Sequence, residues 1–450
     1  MPAHKTPQRG LTRRGMLSLL AAGAVLPRIG RAGLDGRAEG GLSGTFTLSG
    51  ATLLSHTGTT STGGVRVEDG VIVALGAAVT GGLDVGGVWL CPGFTDAGCT
   101  VGLVEVPMEG STRDTSESSG MITADARAVD AYNALSDVVP VTRANGITSV
   151  LVHPAFNHLI TGQAALLRTI GLSAHEAVIR APAGLCMSLG RGGQSEGGPK
   201  SRMGVAMQLR ELLDGLPKPP EEEETGRKKR GKKDDGGEDE DDLTPSDRML
   251  RQLRRGEVMA LISAERVDDI LLALELVETY NLKAALVGCS EGHLIAPQIA
   301  SAGVGVLLGP TTIQPNSFQH PHAIYENPAI LYAAGVTLAL RSSSAHFARM
   351  LPTQAGVAVA HGLPFEAAIT ALTTGAGEIL GIPGHGRLEA GAEATFFLCD
   401  GDPLQPRNAV RRMWIAGSEA DLETRQTRLL QQYQELSELP PSITTPGPRP

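Results

Sequence analysis

Aromatic residues are scarce in this chain of 450 residues, because Phe, Trp and Tyr together make up only 3% of it. Aliphatic side chains must therefore fill the core, and the 41% apolar content is enough for a substantial one. The five cysteines are well separated and form no CxxC pair, which argues against a disulfide scaffold and a zinc ribbon. More than half of the net charge of −9 falls in residues 221–242, so the remainder offers no basic surface for nucleic acid.

Long apolar runs are also absent, and the run from Met16 to Leu26 is too short to span a bilayer comfortably. We therefore expect no transmembrane segment in the mature chain. Arg13 and Arg14 precede this run, and small residues near Ala32 offer a cleavage site. Together these features predict a twin-arginine signal peptide over 1–32 and export to the periplasm. A disordered basic leader is the alternative.

Patterning divides the rest of the chain. Residues 45–92 contain short apolar runs between Gly-rich turns, which predict strands. In residues 93–385, apolar runs such as 147–152 alternate with helical patterns such as 267–277, which predicts a parallel β/α barrel. Blocks of opposite charge predict a disordered insertion at 217–242, with a charged tether for a partner as the alternative. Residues 421–450 are predicted to form a surface helix followed by a Pro-rich tail.

Two motifs carry a family resemblance. Residues 92–100 read PGFTDAGCT and resemble the PGFxDAHxH segment of the metal-dependent amidohydrolases, whose two His bind a divalent metal. Residues 386–403 resemble the GxLxxGxxADLVxxDGDP ending of the same superfamily. The resemblance is closest to the imidazolonepropionase-like branch. It implies a TIM-like (β/α)8 barrel over 93–385, and a small composite β-sandwich from residues 45–92 and 386–420.

The resemblance also locates the stations at which active relatives bind zinc or carry the catalytic Asp. These stations fall in PGFTDAGCT, in LISAERVDDI at 261–270, in VGCSEGH at 287–293 and in LRSSS at 340–344. Only one of them, Glu265, keeps a strong ligand atom, whereas catalytic zinc sites use about three protein ligands. No metal or other cofactor is therefore predicted. The stations are Gly98, Thr100, Ser263, Glu265, Gly288 and Ser343.

Polar side chains near the predicted strand ends are the binding candidates. Residues 157–165 resemble the NLIxGQxA loop of the same branch, and 201–205 resemble its RMG helix start. A loop or core histidine is the alternative for both candidate histidines. The pair His320 and His322 has the HxH spacing alone, and Ser342 to Ser344 lack a GxSxG elbow. The candidates are His153, Asn157, Gln163, Arg266, Glu291 and His293.

The functional prediction follows from the missing ligands. The resemblance implies a lineage that hydrolyses non-peptide carbon–nitrogen bonds. For this chain we predict a degenerate, metal-free member that acts as a binding or partner subunit. Its partner would be a small-molecule ligand or a metal-bearing amidohydrolase homologue. The alternative is an active hydrolase of small cyclic amides with a rearranged site built from Glu265, His153, His293 and Thr100.

Overall fold

The computed structural model describes residues 42–217, 243–313, 315 and 317–437. The predicted signal peptide, residues 218–242 of the charged insertion and the tail from residue 438 lie outside these ranges. Among the helices of the described residues, none combines the length and the apolar character that crossing a bilayer requires.

Two eight-stranded sheets organise the described residues. The strands are β1 Phe46–Leu54, β2 Thr60–Glu68, β3 Val71–Gly76, β4 Leu83–Asp84, β5 Trp89–Pro92, β6 Phe94–Cys99, β7 Ile147–Val152, β8 Ile160–Arg168, β9 Val178–Ser188, β10 Ala260–Ala264, β11 Ala284–Gly288, β12 Gly305–Leu308, β13 Leu338–Leu340, β14 Phe396–Cys399, β15 Val410–Ile415 and β16 Ser418–Glu419. The α-helices are Ala128–Ala131, Val138–Arg143, Ala174–Ala177, Arg202–Gly215, Pro245–Arg254, Val267–Tyr280, Ala296–Ser301, Asn327–Ala333, Leu351–Ala360, Phe365–Leu372, Thr374–Leu380 and Arg425–Ser437. Short 3-10 helices lie at Gly110–Thr112, Gly292–Ile295 and Ala348–Met350.

Strands β6 to β13 pair in chain order and form a nearly closed barrel, which confirms the predicted TIM-like architecture. The Ser343 backbone N–H, just after β13, donates to Gly98 O of β6 at 2.9 Å and links the two edges. One strand departs from the predicted parallel arrangement, because β8 is antiparallel to both β7 and β9. The connection at 153–159 is too short for the crossover that a parallel pair requires. The prediction of a loop at 157–165 is therefore wrong from Ile160 onward.

Alternation along the strands separates the barrel interior from the layer that contacts the helices. Leu261 and Val287 pack inside the barrel, whereas their neighbours Ile262 and Leu286 pack in the outer layer. Successive side chains of a strand point to opposite faces, so one short apolar run supplies both layers. Cys99 and Cys289 belong to the outer layer, away from the barrel axis.

The second sheet combines strands from both ends of the chain in the order β16-β15-β14-β5-β1-β2-β3, with β4 beside β1. Phe46 on β1 stacks on Trp414 on β15, with ring centroids 5.4 Å apart, although two strands separate β1 from β15 in the sheet. The sheet therefore curls around an apolar core of its own.

The helices follow the apolar patterns, with one correction. The pattern at 364–379 predicts a single helix, but the structure has two, Phe365–Leu372 and Thr374–Leu380. The break lies at Thr373, whose φ of −121° and ψ of −89° are not helical. The helix predicted within 421–450 begins at Arg425.

Candidate functional site at the carboxyl end of the barrel

The carboxyl ends of the parallel barrel strands meet at one rim, which we call the mouth. Gly98 lies on β6, His153 follows β7, Glu265 follows β10, and Gly288 ends β11. Arg341 follows β13 and is only 5% exposed, so a guanidinium is buried among the positions at which the family resemblance places the metal site. The sequence reasoning missed this residue. The signal was present, because Arg341 directly follows a buried apolar strand.

Arg341 fills the space in front of Gly98. A Cβ atom added to Gly98 would lie 2.9 Å from Arg341 Nε and 3.3 Å from its Cδ. Arg341 Nε also donates a long hydrogen bond, 3.5 Å, to Gly98 O. A histidine at position 98 would therefore collide with Arg341 in its present conformation, and glycine is the residue that admits the guanidinium.

Glu265 fills the space in front of Gly288 in the same way. A Cβ atom on Gly288 would lie 2.2 Å from Glu265 Oε1, and the φ of +96° at Gly288 further favours glycine. Glu265 Oε2 accepts a hydrogen bond from the Ser290 backbone N–H at 3.1 Å. Burial raises the pKa of Glu265, while the hydrogen bond from Ser290 and the charge of Arg341 oppose that rise.

His153 points both ring nitrogens at neighbours. Its Nδ1 lies 2.8 Å from Pro154 O, so this nitrogen carries the proton and donates it. Its Nε2 is then an acceptor and faces Arg341 Nη2 at 3.4 Å. Burial and the charge of Arg341 lower the pKa of His153 to about 3, so the ring is neutral at pH 7. The lone pair that could bind a metal is therefore turned towards a cation.

Asp96 completes the charge balance beneath the mouth. It accepts hydrogen bonds from the backbone N–H groups of Gly98 at 3.1 Å and Ser342 at 3.0 Å, and from the Ser342 hydroxyl. Burial raises the pKa of Asp96 to about 6. Burial also lowers the pKa of Arg341, which the charges of Glu265 and Asp96 counteract. One guanidinium thus lies among the fully buried carboxyl group of Asp96, the half-buried carboxyl group of Glu265 and a neutral imidazole.

The three remaining positions of the predicted metal site, Thr100, Ser263 and Ser343, take part in hydrogen bonds that involve backbone groups. Thr100 Oγ1 accepts from the Ala345 N–H at 3.1 Å. The backbone O of Ser263 accepts from Leu189 N at 3.0 Å, and the backbone of Ser343 closes the barrel edge with a φ of +67°. These three residues connect segments of the rim and add no strong ligand atom to it.

Two of the binding candidates act at the start of the helix Val267–Tyr280. Glu291 Oε2 accepts from the Val267 N–H at 3.1 Å, and its Oε1 accepts from the His322 N–H at 3.3 Å. Arg266 Nε pairs with Asp268 Oδ1 at 3.0 Å. A carboxylate at a helix N-terminus satisfies N–H groups that have no partner within the helix.

The other candidates are spread over the rim. Asn157 Nδ2 donates to Ser116 Oγ at 3.0 Å, and Gln163 Nε2 donates to Ala124 O at 3.0 Å, so both fasten segments that precede β7. His293 lies in a 3-10 turn, and its backbone N–H donates to Asn327 Oδ1 at 2.9 Å. Of the six candidates, His153 alone contacts Arg341 in the hydrogen bonds of the described residues.

The mouth has little free space and an unsuitable donor set for a metal ion. The cavity beside Glu265 and Gly288 measures about 10 Å³, roughly the volume that one water requires. Within the part of the chain that the structure describes, no three His, Cys, Asp or Glu side chains converge as ligands would. The zinc that the fold family implies does not fit these residues, because a permanent cation lies among the ligand stations.

Comparisons with known proteins identify the fold. No family model matches the chain. Its structure is similar to that of an amidohydrolase from Thermotoga maritima MSB8, with a TM-score of 0.71 and 24% identity over 83% of this chain and 99% of that one. It is also similar to molinate hydrolase, with a TM-score of 0.52 and 16% identity over 91% of this chain and 98% of that one.

A curated relative points to the same superfamily. The chain is 23% identical over 360 residues, 74% of its length, to the amidohydrolase tasK of Hapsidospora irregularis. It spans 36% of the length of that relative. The fold is that of the amidohydrolase superfamily, a TIM-like barrel with an additional β domain, and the predicted resemblance is confirmed.

Proposed function

We propose that this chain is an exported, metal-free member of the amidohydrolase superfamily that has lost hydrolysis at its mouth. Its lineage hydrolyses non-peptide carbon–nitrogen bonds, and the chain itself acts as a binding or partner subunit. The preferred partner is a metal-bearing amidohydrolase homologue in the same compartment. Residues 1–32, on which export depends, lie outside the described residues, so export rests on the Arg13-Arg14 pair and the apolar run alone.

The burial of Arg341 among the former ligand stations carries this proposal. Arginine stays protonated in proteins, so a divalent metal beside it would meet a fixed positive charge. Gly98 and Gly288, where relatives carry histidine, are the two positions at which Arg341 and Glu265 take up the space of a side chain. The ligands are not merely missing, because charged side chains of this chain have replaced them.

The rearranged hydrolase has weaker support. It requires a base with a free lone pair and room for a substrate. His153 has both ring nitrogens engaged, and Glu265 lies against Gly288 beside a cavity of about 10 Å³. The Nδ1 of His293 has no hydrogen-bond partner among the described residues, but the cavity beside Glu265 leaves no room for a substrate.

The partner role rests on the lineage and on the filled mouth. The family-like segment at 201–205 has a structural explanation that needs no partner. Ser201 caps the helix Arg202–Gly215, and Arg202 makes a bidentate pair with Asp269, at 2.8 and 3.1 Å. Such fork-to-fork pairs are geometrically specific. Resemblance in this segment therefore does not by itself indicate a binding surface.

Metal content and hydrolysis, measured on the same preparation, test the proposal. We expect far less than one transition metal ion per chain after dialysis against zinc, and no turnover of a panel of cyclic amides. A metal-bearing amidohydrolase treated alongside is the positive control. About one zinc per chain, with turnover that Glu265→Gln abolishes, would overturn the metal-free proposal.

The partner is tested separately by affinity purification from the native cell envelope. We expect a second, metal-bearing amidohydrolase to copurify in a fixed ratio. Recovery of the chain alone, as a monomer with no bound small molecule, would contradict the partner role and leave the metal result unaffected.

A further inference from the structure

A cavity of about 310 Å³ lies at the other end of the barrel from the mouth. We call it the amino-end cavity, because Thr95, Ser149 and Ile179 lie near the amino-terminal starts of β6, β7 and β9. The segment 382–395 covers it from the side of the second sheet. Its volume falls at the lower end of the range of small-molecule sites, which are mostly apolar with a few convergent polar groups.

A buried hydroxyl–imidazole cluster lies at one wall. Thr95 Oγ1 is 2.9 Å from Ser149 Oγ and 2.9 Å from His385 Nε2, and Ser149 Oγ is 3.4 Å from the same nitrogen. Thr95 is 1% and Ser149 is 3% exposed. Register explains the pair, because β6 and β7 align Thr95 with Ser149. Burial lowers the pKa of His385 to about 4, so the ring is neutral at pH 7.

Guanidinium groups lie beside this cluster, because β7 and β8 align Ser149 with Arg168. Arg168, the last residue of the antiparallel β8, pairs through Nη2 with Glu393 Oε2 at 2.6 Å. Its Nε is buried and has no hydrogen-bond partner among the described residues. Arg387 also lines the cavity, and its nearest acid, Glu389 at 3.5 Å, lies outside the lining. With His385 neutral, the lining carries two positive charges and one negative charge.

Three isoleucines give the cavity its apolar part. Ile179, Ile382 and Ile415 line it, the first from the barrel, the second from the covering segment and the third from the second sheet. An aliphatic chain in contact with them would be removed from water, which favours binding in proportion to the apolar area buried. The cavity thus combines a cationic, hydroxyl-bearing wall with an aliphatic surface.

We propose that the amino-end cavity binds a small amphipathic monocarboxylate. The carboxylate contacts Arg168 and the hydroxyls of Thr95 and Ser149, and the aliphatic part packs on Ile179, Ile382 and Ile415. The carboxylate is a second anionic partner for the Arg168 guanidinium, which pairs with Glu393 through Nη2 and whose Nε has no partner among the described residues. This site is independent of the proposed function of the mouth, because it uses none of the same residues.

Isothermal titration calorimetry on the purified chain tests the site, with hexanoate as the probe and 1-hexanol as its neutral counterpart. We expect hexanoate to bind and 1-hexanol to bind at least about tenfold more weakly, as expected for the loss of charge-assisted hydrogen bonds. Arg168→Gln should weaken hexanoate about tenfold or more, and Thr95→Val a few-fold. Arg180→Gln is the matched control, because Arg180 bonds to Gly381 O at 3.1 Å and does not line the cavity.

A second variant protects the test against misfolding of Arg168→Gln. Ile382→Trp fills the cavity from a partly exposed loop position, and it should abolish hexanoate binding while the circular dichroism spectrum stays unchanged. The proposal is overturned if hexanoate does not bind at millimolar concentration, or if 1-hexanol binds equally well. Unchanged binding in Arg168→Gln or in Ile382→Trp would also overturn it. None of these outcomes depends on the metal content of the mouth.

Discussion

The two ends of the barrel differ in how they use polar residues and space. At the mouth, Arg341 lies among Asp96, Glu265 and His153, and the adjoining cavity measures about 10 Å³. At the amino end, Thr95 and His385 border a cavity of about 310 Å³. Active sites of TIM barrels lie at the carboxyl end, whereas the amino end serves stability. The cavity beside Glu265 is thus far smaller than the cavity at the amino end.

Under the proposed loss of the metal site, the difference indicates what such a loss involves physically. Removing histidines would leave buried carboxyl groups without a cation and open space at the rim. Both problems are costly, since an unpaired buried charge destabilises the folded state and a void loses packing. Arg341 addresses both, because it supplies charge to Asp96 and Glu265 and occupies the space at Gly98.

Removing Arg341 should have the largest effect. Arg341→Met leaves the fully buried Asp96 and the half-buried Glu265 without their cation, and we expect a loss of about 3–5 kcal/mol in the free energy of unfolding. Urea denaturation at pH 7 measures it. Arg349→Met, an exposed position on the same segment, is the control and should cost less than about 0.5 kcal/mol. Equal stability of the two variants would contradict the role of Arg341 as the internal cation.

The amino end should respond to pH instead. The pKa of His385 is about 4 in the folded chain against an ordinary value near 6.5, so the unfolded chain binds more protons between these values. Stability is therefore fully present above pH 6.5 and falls as the pH drops towards 4, by about 2–3 kcal/mol at pH 4.5. The charge of Glu393 opposes this shift and that of Arg168 adds to it.

His385→Gln should remove this part of the pH dependence. The thermal midpoints of both proteins at pH 7 and pH 4.5 measure it, and the difference between the proteins cancels the contribution of other groups such as His153. If His385→Gln and the parent chain lose the same stability on acidification, the buried neutral state of His385 is wrong.

Much of the architecture could be predicted from the sequence because it depends on local pattern. The strand predicted at 147–152 and the helix start predicted at Val267 both match the structure. The spacing of apolar residues along the chain and the length of an apolar run are properties of neighbouring residues, so they can be read from the sequence. The direction of β8 was missed, although the short connection at 153–159 excludes a parallel crossover. The contact of Glu291 with the helix start at Val267 could not be read from local pattern, because it spans 24 positions.

The contents of the mouth required the three-dimensional structure. The motif at 92–100 indicated the family resemblance and the absence of its two histidines, but it could not tell which side chains lie in their place. Gly98 and Arg341 are 243 positions apart and meet because the barrel closes between β13 and β6. A charged residue after an apolar strand was a usable signal, since arginine is seldom buried without a partner.

The smallest expected effect is the energetic coupling between Gly98 and Arg341. It tests directly whether the glycine at position 98 and the arginine at position 341 depend on each other. Gly98→His restores the residue type of active relatives and should cost about 1–3 kcal/mol through overpacking against Arg341. Arg341→Gly removes the side chain that fills that space. In the double variant the two costs should not add, and the coupling should amount to about 1 kcal/mol or more in favour of the pair. A double-mutant cycle by urea denaturation measures this, with Gly197→His, at an exposed turn with open space, as the control. Additive costs would mean that Arg341 does not occupy the histidine's place, and that the loss of the ligand and the arrival of the arginine are unrelated.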